Sequence, residues 1–254
     1  MSLTIWTRCG GRSNARALHL APWRTVESQF VNSTRKLVDS NAEQQQLEEL
    51  IDTAKPPVDP DVQALNLHYL LFTPFRHPPL LHGSRFGRRT ECGVFYGAKE
   101  LETCLAEVAY YRLVFLEGAA ALDRLATEHT AFQADVRTER GVDLTQEPFA
   151  AHKALLSSKT DYSATQKLGA EMRADGVQVA LYPSARAHQS GTGVAVFDPA
   201  AFASPQPTGE QSWLCSADRG KVEFRRKNLL AAHEYTFPRA DFLVAARLPA
   251  PAVR

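Results

Sequence analysis

Two proline-rich breakers constrain this chain most. Lys55-Pro56-Pro57-Val58-Asp59-Pro60 and Ser204-Pro205-Gln206-Pro207-Thr208-Gly209 fix φ and remove backbone donors, so no helix or central strand can run through either. They cut the 254 residues into three parts, 1–64, 65–203 and 204–254. A chain of this length with 44% hydrophobic and 22% charged residues can bury a full core, which excludes disorder, collagen-like repeats and coiled coil. Lys plus Arg is 29 against Asp plus Glu at 28, a formal net charge of +1, so no global field calls for a nucleic-acid partner. Cys9, Cys92, Cys104 and Cys215 are far apart and form no CxxC pair, which reads as reduced, structural thiols with no metal site. The opening residues are too polar for a secretory apolar stretch and no run reaches membrane-span length, so a cytoplasmic protein with no membrane partner is expected.

The first part holds Ser40-Asn41-Ala42-Glu43, a capping-box pattern, before QQQLEELIDTA. It reads as a helical N-terminal extension. The middle part alternates short strands with helices. Gly93–Tyr96 and Phe132–Val136 read as strands, and Lys99–Phe115 reads as a helix with Leu101, Cys104, Leu105 and Val108 on one stripe. Tyr162–Ala174 is a second helix, stopped by Asp175-Gly176. Val177–Tyr182 and Val194–Phe197 are strands joined by a polar loop. The last part, with weak alternation near Lys221–Phe224 and Phe242–Val244, is expected to pad the sheet rather than fold alone. The class is α+β.

Walker A, GxGxxG, GxSxG and HExxH are all absent. What is present is a basic segment, Phe75 to Arg89, with four arginines and two histidines in fifteen positions. Guanidinium groups bind phosphates bidentately, and glycines on both sides of Arg85 let backbone amides approach the same anion. The alternative is a solvated basic loop. Glu107 falls roughly 110° from the centre of the helical stripe, either pointing into a cleft or pairing with Arg112 or Lys99. Ser184 follows an apolar strand at Tyr182-Pro183-Ser184-Ala185, where ligand sites of α/β sheets often lie. Tyr96 closes a short strand eleven residues before Glu107.

In chain order, Phe75-Arg76, Gly83-Ser84-Arg85-Phe86, Gly93-Val94-Phe95-Tyr96-Gly97-Ala98, Glu102-Thr103-Cys104-Leu105-Ala106-Glu107, Tyr182-Pro183-Ser184-Ala185 and Phe197-Asp198-Pro199 together resemble the RES-domain family, toxins of bacterial RES–Xre toxin–antitoxin pairs. The resemblance covers about Leu71 to Pro199. It implies an ADP-ribosyltransferase-like RES domain over 65–203, with mixed or antiparallel β-sheet flanked by helices. It also implies an enzyme that takes NAD as substrate, without metal, and breaks its nicotinamide–ribose bond by hydrolysis, phosphorolysis or transfer to a protein. Position by position, Arg85, Glu107, Ser184 and Tyr96 match the catalytic set. Arg76 resembles the earlier Arg that helps hold the dinucleotide, with His77, where the family often has Tyr, as a further binding candidate beside it, and Ser163 is a second serine for ligand contact after Ser184. Expected partners are NAD, inorganic phosphate near Arg88 and Arg89, and a helix-turn-helix antitoxin of Xre type, in a homodimer or a toxin–antitoxin hetero-oligomer. A catalytically inactive antitoxin-binding module is the non-enzymatic alternative.

Overall fold

A computed structural model of the chain describes residues 4–28, 38–79, 81–188, 190–228 and 233–249. In chain order the elements are α1 (Ile5–Arg8), β1 (Arg16–Leu20), β2 (Trp23–Glu27), α2 (Asn41–Ala54), α3 (Pro60–Ala64), α4 (Tyr69–Arg76), β3 (Phe95–Ala98), α5 (Leu101–Gly118), β4 (Arg124–Gln133) and β5 (Val136–Asp143). Then follow α6 (Lys153–Leu156), α7 (Ser163–Ala174), β6 (Val179–Pro183), β7 (Thr192–Val196), β8 (Thr208–Asp218), β9 (Lys221–Arg226) and β10 (Glu234–Pro238). The described strands form one sheet in the order β1-β5-β6-β7-β3-β2-β4-β8-β9-β10. Only β5 and β6 run parallel.

All three sequence segments feed this sheet. The capping box is formed, with the Glu43 amide donating to Ser40 Oγ and the Ser40 amide donating to the Glu43 carboxylate. The helical N-terminal extension nevertheless needs correcting. Beside its helices it supplies β1, on one edge, and β2, in the middle of the sheet between β3 and β4. Breakers mark where elements stop, and they carry no information about which strands later meet. The last segment supplies β8, β9 and β10, which extend the sheet as expected.

Two boundaries also move. The strand expected at Phe132–Val136 is the end of β4, an irregular link at Ala134-Asp135 and the start of β5, two strands that do not pair with each other. An apolar run hides such a break when the link itself is buried, and Ala134 is fully buried here. The helix expected at Lys99–Phe115 runs instead from Leu101 to Gly118, held at its start by Glu100, whose carboxylate accepts from Thr103 Oγ1 and from the Thr192 amide.

One junction organises the rest. β2 pairs with β4 over all of Trp23–Glu27, but with β3 only at Trp23 opposite Ala98. The sheet is therefore two halves that touch at one rung and splay apart below it. Helix α5 lies across the junction and contacts β2, β8 and β9 on one side, β3 and β7 on the other. For that reason it buries Thr103, Cys104, Leu105, Ala106, Ala109, Tyr110, Leu113 and Leu116, far more than one stripe. Truncating Leu105 to Ala in such a core costs about 2–5 kcal/mol. On the opposite face α4 covers Phe95, Phe132 and Val196 through Leu71 and its neighbours. A third apolar group, with Phe86, Leu168, Met172 and Tyr182, ties α7 to the loop that precedes β3.

Candidate active site

The site is assembled where α5, the ends of β3 and β6, and the loop 83–87 converge. Gly83 has φ of +76°, a left-handed conformation that favours glycine, and it turns the loop back so that the Ser84 amide donates to the Gly87 carbonyl. Gly169 of α7 lies against the Phe86 carbonyl, where a Cβ would come within 2.1 Å. Any larger residue would push α7 away and move Arg85 with it.

Arg85 is 6% exposed. Its Nη1 donates to the carbonyls of Leu156 at 3.0 Å and Ser158 at 3.1 Å, and its guanidinium sits 4.5 Å from the centre of the Tyr162 ring. No carboxylate among the described residues pairs with it. A buried cation held only by carbonyls and an aromatic face keeps its charge available to an anion.

Glu107 settles the alternatives left by its helical position. Its Oε1 accepts from Ser184 Oγ at 3.0 Å, while Arg112 pairs with Glu27 instead. Ser184 Oγ in turn accepts from the amides of Arg186 at 3.1 Å and Ala187 at 3.2 Å. The hydroxyl is thereby pinned at the strand end with its proton aimed at the carboxylate. Ser184 is thus tied to Glu107 rather than lining the cavity itself.

Tyr96 is fixed from both ends. Its hydroxyl accepts from the Phe86 amide at 2.9 Å and shares a 2.8 Å hydrogen bond with Ser84 Oγ, and its ring meets Tyr182 edge-on at 6.5 Å. Burial pushes the Tyr96 phenol up to about 12, against the pull of Ser84, the Phe86 amide and nearby Arg85. Burial, with the charge of Glu107 next, also raises Tyr182 well above its ordinary value. Both are neutral phenols at physiological pH.

These groups line a cavity of about 310 Å³ with Arg24, Thr25, Cys104, Tyr111 and Tyr162. One fixed carboxylate, a buried guanidinium and tyrosine walls make it suited to a flat, polar ligand carrying anionic groups. Among the described residues no cluster of His, Cys, Asp or Glu can hold a metal ion.

The sequence-predicted residues do not all gather here. Arg85, Tyr96, Glu107 and, through Glu107, Ser184 come together. Arg76 and His77 line a second cavity of about 840 Å³ between α4 and the β2 side of the sheet, where Arg76 Nε donates to the Pro56 carbonyl at 2.6 Å. Exposed Ser163 lies outside both cavities and binds Asp161 at the start of α7 through its amide and hydroxyl. Arg88 and Arg89 are exposed and line neither cavity. The Ser84 and Phe86 amides flanking Arg85 are spent internally, on the Gly87 carbonyl and the Tyr96 hydroxyl.

Arg24, Tyr111, Tyr162 and Tyr182 were not singled out from sequence as wall residues. Arg186, which lines neither cavity, is 2% exposed and stacks 3.5 Å from the centre of the Tyr110 ring. Isolated tyrosines and arginines in separate segments carry no mutual spacing, and only the folded sheet brings them together.

The family profile described as RES domain matches residues 61–218, more than half of the chain. The chain belongs to the RES-domain family. Its mixed α+β architecture is the ADP-ribosyltransferase-like fold expected of a RES domain, and the match runs to the end of β8 at Asp218. A solved structure described as the M.tuberculosis MbcT–MbcA toxin–antitoxin complex is similar at 16% identity and a TM-score of 0.48, covering 82% of this chain and 90% of that one. No curated protein matches the chain. No helix among the described residues is long and apolar enough to cross a membrane.

Proposed function

We propose that this RES domain is the toxin of a toxin–antitoxin pair and acts by breaking the nicotinamide–ribose bond of NAD. The observation that carries the reading is Glu107, a carboxylate oriented by Ser184 inside a tyrosine-lined cavity that also holds buried Arg85. Cleavage breaks the bond from the ribose C1′ to the nicotinamide nitrogen, and the electron pair leaves with nicotinamide. The ribosyl centre becomes oxocarbenium-like, and a carboxylate held beside it stabilises the developing charge. Glu107 is the group placed to do this. Because Ser184 fixes it beforehand, little reorganisation is needed as charge develops.

Arg85 anchors the diphosphate through charge-assisted hydrogen bonds. Tyr96 and Tyr182 wall the nicotinamide ring and exclude bulk water from the breaking bond. The acceptor then bonds to C1′ and gives up its proton. In a cell the same chemistry drains NAD and arrests growth, and a helix-turn-helix antitoxin relieves it by covering the cleft.

The test is incubation of purified protein with NAD, with and without inorganic phosphate, followed by chromatography of nicotinamide and the ribosyl product. Nicotinamide release that is lost in Glu107→Gln is the expected result. The product names the acceptor: ADP-ribose for water, ADP-ribose phosphate for phosphate, modified protein for a side chain. Growth arrest on expression at normal NAD levels would sink the reading.

A further inference from the structure

Arg186 stands outside both cavities, two residues after Ser184, and its amide donates to Ser184 Oγ. Its side chain turns the other way. The guanidinium faces the Tyr110 ring of α5, and Nη2 donates to the Lys159 carbonyl at 3.2 Å. Nε and Nη1 are buried without a hydrogen-bond partner among the described residues, and Asp241 pairs with His188 instead. A cation buried with donors unspent costs free energy that an apolar side chain of the same length would avoid. Space filling therefore does not account for it.

What the side chain does hold is the loop 157–162, between α6 and α7. That loop is gripped from two directions. Arg85 takes the carbonyls at its start, Leu156 and Ser158, and Arg186 takes the next one, Lys159. The segment is also tied within itself, since Ser158 Oγ accepts from the amides of Thr160 at 3.4 Å and Asp161 at 3.1 Å, and Lys159 Nζ donates to the Asp241 carbonyl at 2.9 Å. Burial, and next the charge of Arg186, lower the pKa of the Lys159 amine. The loop ends at Tyr162, the ring that stacks on Arg85 and lines the smaller cavity. Arg85 has to divide its donors between these carbonyls and an anion, whereas Arg186 lies away from the ligand and has only the loop to hold.

We propose that Arg186 is a positioning residue. It pins the backbone at Lys159 so that Tyr162 stays stacked on Arg85 while the ligand binds, and it touches no substrate itself. Its effect on kinetics rests on the NAD reading of the site. Its effect on the loop rests on geometry alone.

The experiment exploits Lys159 as a trypsin site whose scissile carbonyl is the one that Arg186 holds. Cleavage there tracks the population in which the loop has opened. Arg186→Met keeps the length and removes charge and donors. In the ligand-free full chain it speeds cleavage after Lys159 about tenfold, the worth of one hydrogen bond from a charged donor, while other cut sites and the urea midpoint stay near the parent's. Arg186→Lys, which can still donate to the carbonyl and face Tyr110, restores most of the protection. With NAD, Arg186→Met raises KM about fivefold to tenfold and leaves kcat within about threefold. In a Tyr162→Ala background it adds no further rise, because the ring that it positions is gone. Unchanged cleavage after Lys159 overturns the proposal. Faster cutting at every site with a lowered urea midpoint assigns Arg186 to the scaffold and also overturns it, as does an unchanged KM in a parent that cleaves NAD. Selective cutting after Lys159 in a protein whose parent does not release nicotinamide supports the hold on the loop and counts against the NAD reading alone.

Discussion

The two cavities share a wall and differ in almost everything else. The smaller one contains a single carboxylate that the structure has already oriented, a buried arginine without a counter-charge, and a lining rich in tyrosine. The larger one has charges of both signs, Glu27 and Glu210 beside Lys55 and Arg76, and its Glu27 is tied to Arg112 across the surface. Preorganised groups in a restricted site can lower a barrier, whereas mixed, solvated charges mostly set affinity. Under the proposed function, this difference puts chemistry in one cavity and holding in the other.

The sharpest way to break that assignment is Glu107→Gln. It leaves an isosteric acceptor for Ser184, so the fold survives while kcat for nicotinamide release falls about a hundred- to a thousandfold, or about 3–4 kcal/mol in the barrier. Retained activity would remove the smaller cavity from the chemistry.

A second prediction concerns the half of the sheet beneath the larger cavity. His129, next to cavity-lining Thr130 on β4, is 1% exposed, packs edge-on against Phe224 and bonds Thr127 Oγ1 through Nε2. Burial, helped by the charge of Arg112, lowers its pKa from 6.5 to about 4. The folded state thus holds His129 neutral while the unfolded chain protonates it. The resulting stability is fully present above pH 6.5 and is lost as pH falls toward 4, by about 3 kcal/mol in all. Urea midpoints at pH 7.5, 6 and 4.5 should show this loss, and His129→Gln should flatten the dependence.

Smaller effects refine the contrast. Ser184→Ala frees the Glu107 carboxylate, so kcat drops about tenfold at unchanged KM, and Ser184→Thr, which keeps the hydroxyl, restores most of it. A KM change instead would mean that Ser184 touches the ligand. Smallest is Arg76→Ala, where KM for NAD rises about threefold and kcat holds, since a half-solvated contact contributes roughly 0.5–1 kcal/mol. A collapse of kcat there would erase the distinction between the cavities.

The legible part of the site was the part written in short contiguous motifs. Gly83 through Phe86, Gly93 through Ala98 and Leu101 through Glu107 each encode a turn, strand or helix together with a side chain that lines the smaller cavity, so Arg85, Tyr96 and Glu107 stand out in order. Helix α7 and the strands around Tyr182 and Val194 were equally plain, because their apolar periodicity is local. β2 was not, for a physical reason. Trp23–Glu27 alternates weakly and is partly buried, and its place is set by pairing with β4 more than a hundred residues later. Arg76 stood beside the right residues in sequence but on a helix that covers the opposite face of the sheet. Adjacency along the chain carried no information about which cavity it would enter.

The central position of β2 also governs when this protein can become active during its synthesis. Trp23–Glu27 emerges early, yet its partners lie at Ala98 and His129–Gln133, and Ser184 comes later still. Such distant pairings must pay loop-closure entropy before any contact rewards it, which slows folding. A nascent chain therefore carries every arginine of the cleft long before it can hold them in place, and prematurely terminated products that end before Ser184 are predicted to be harmless to the cell that makes them.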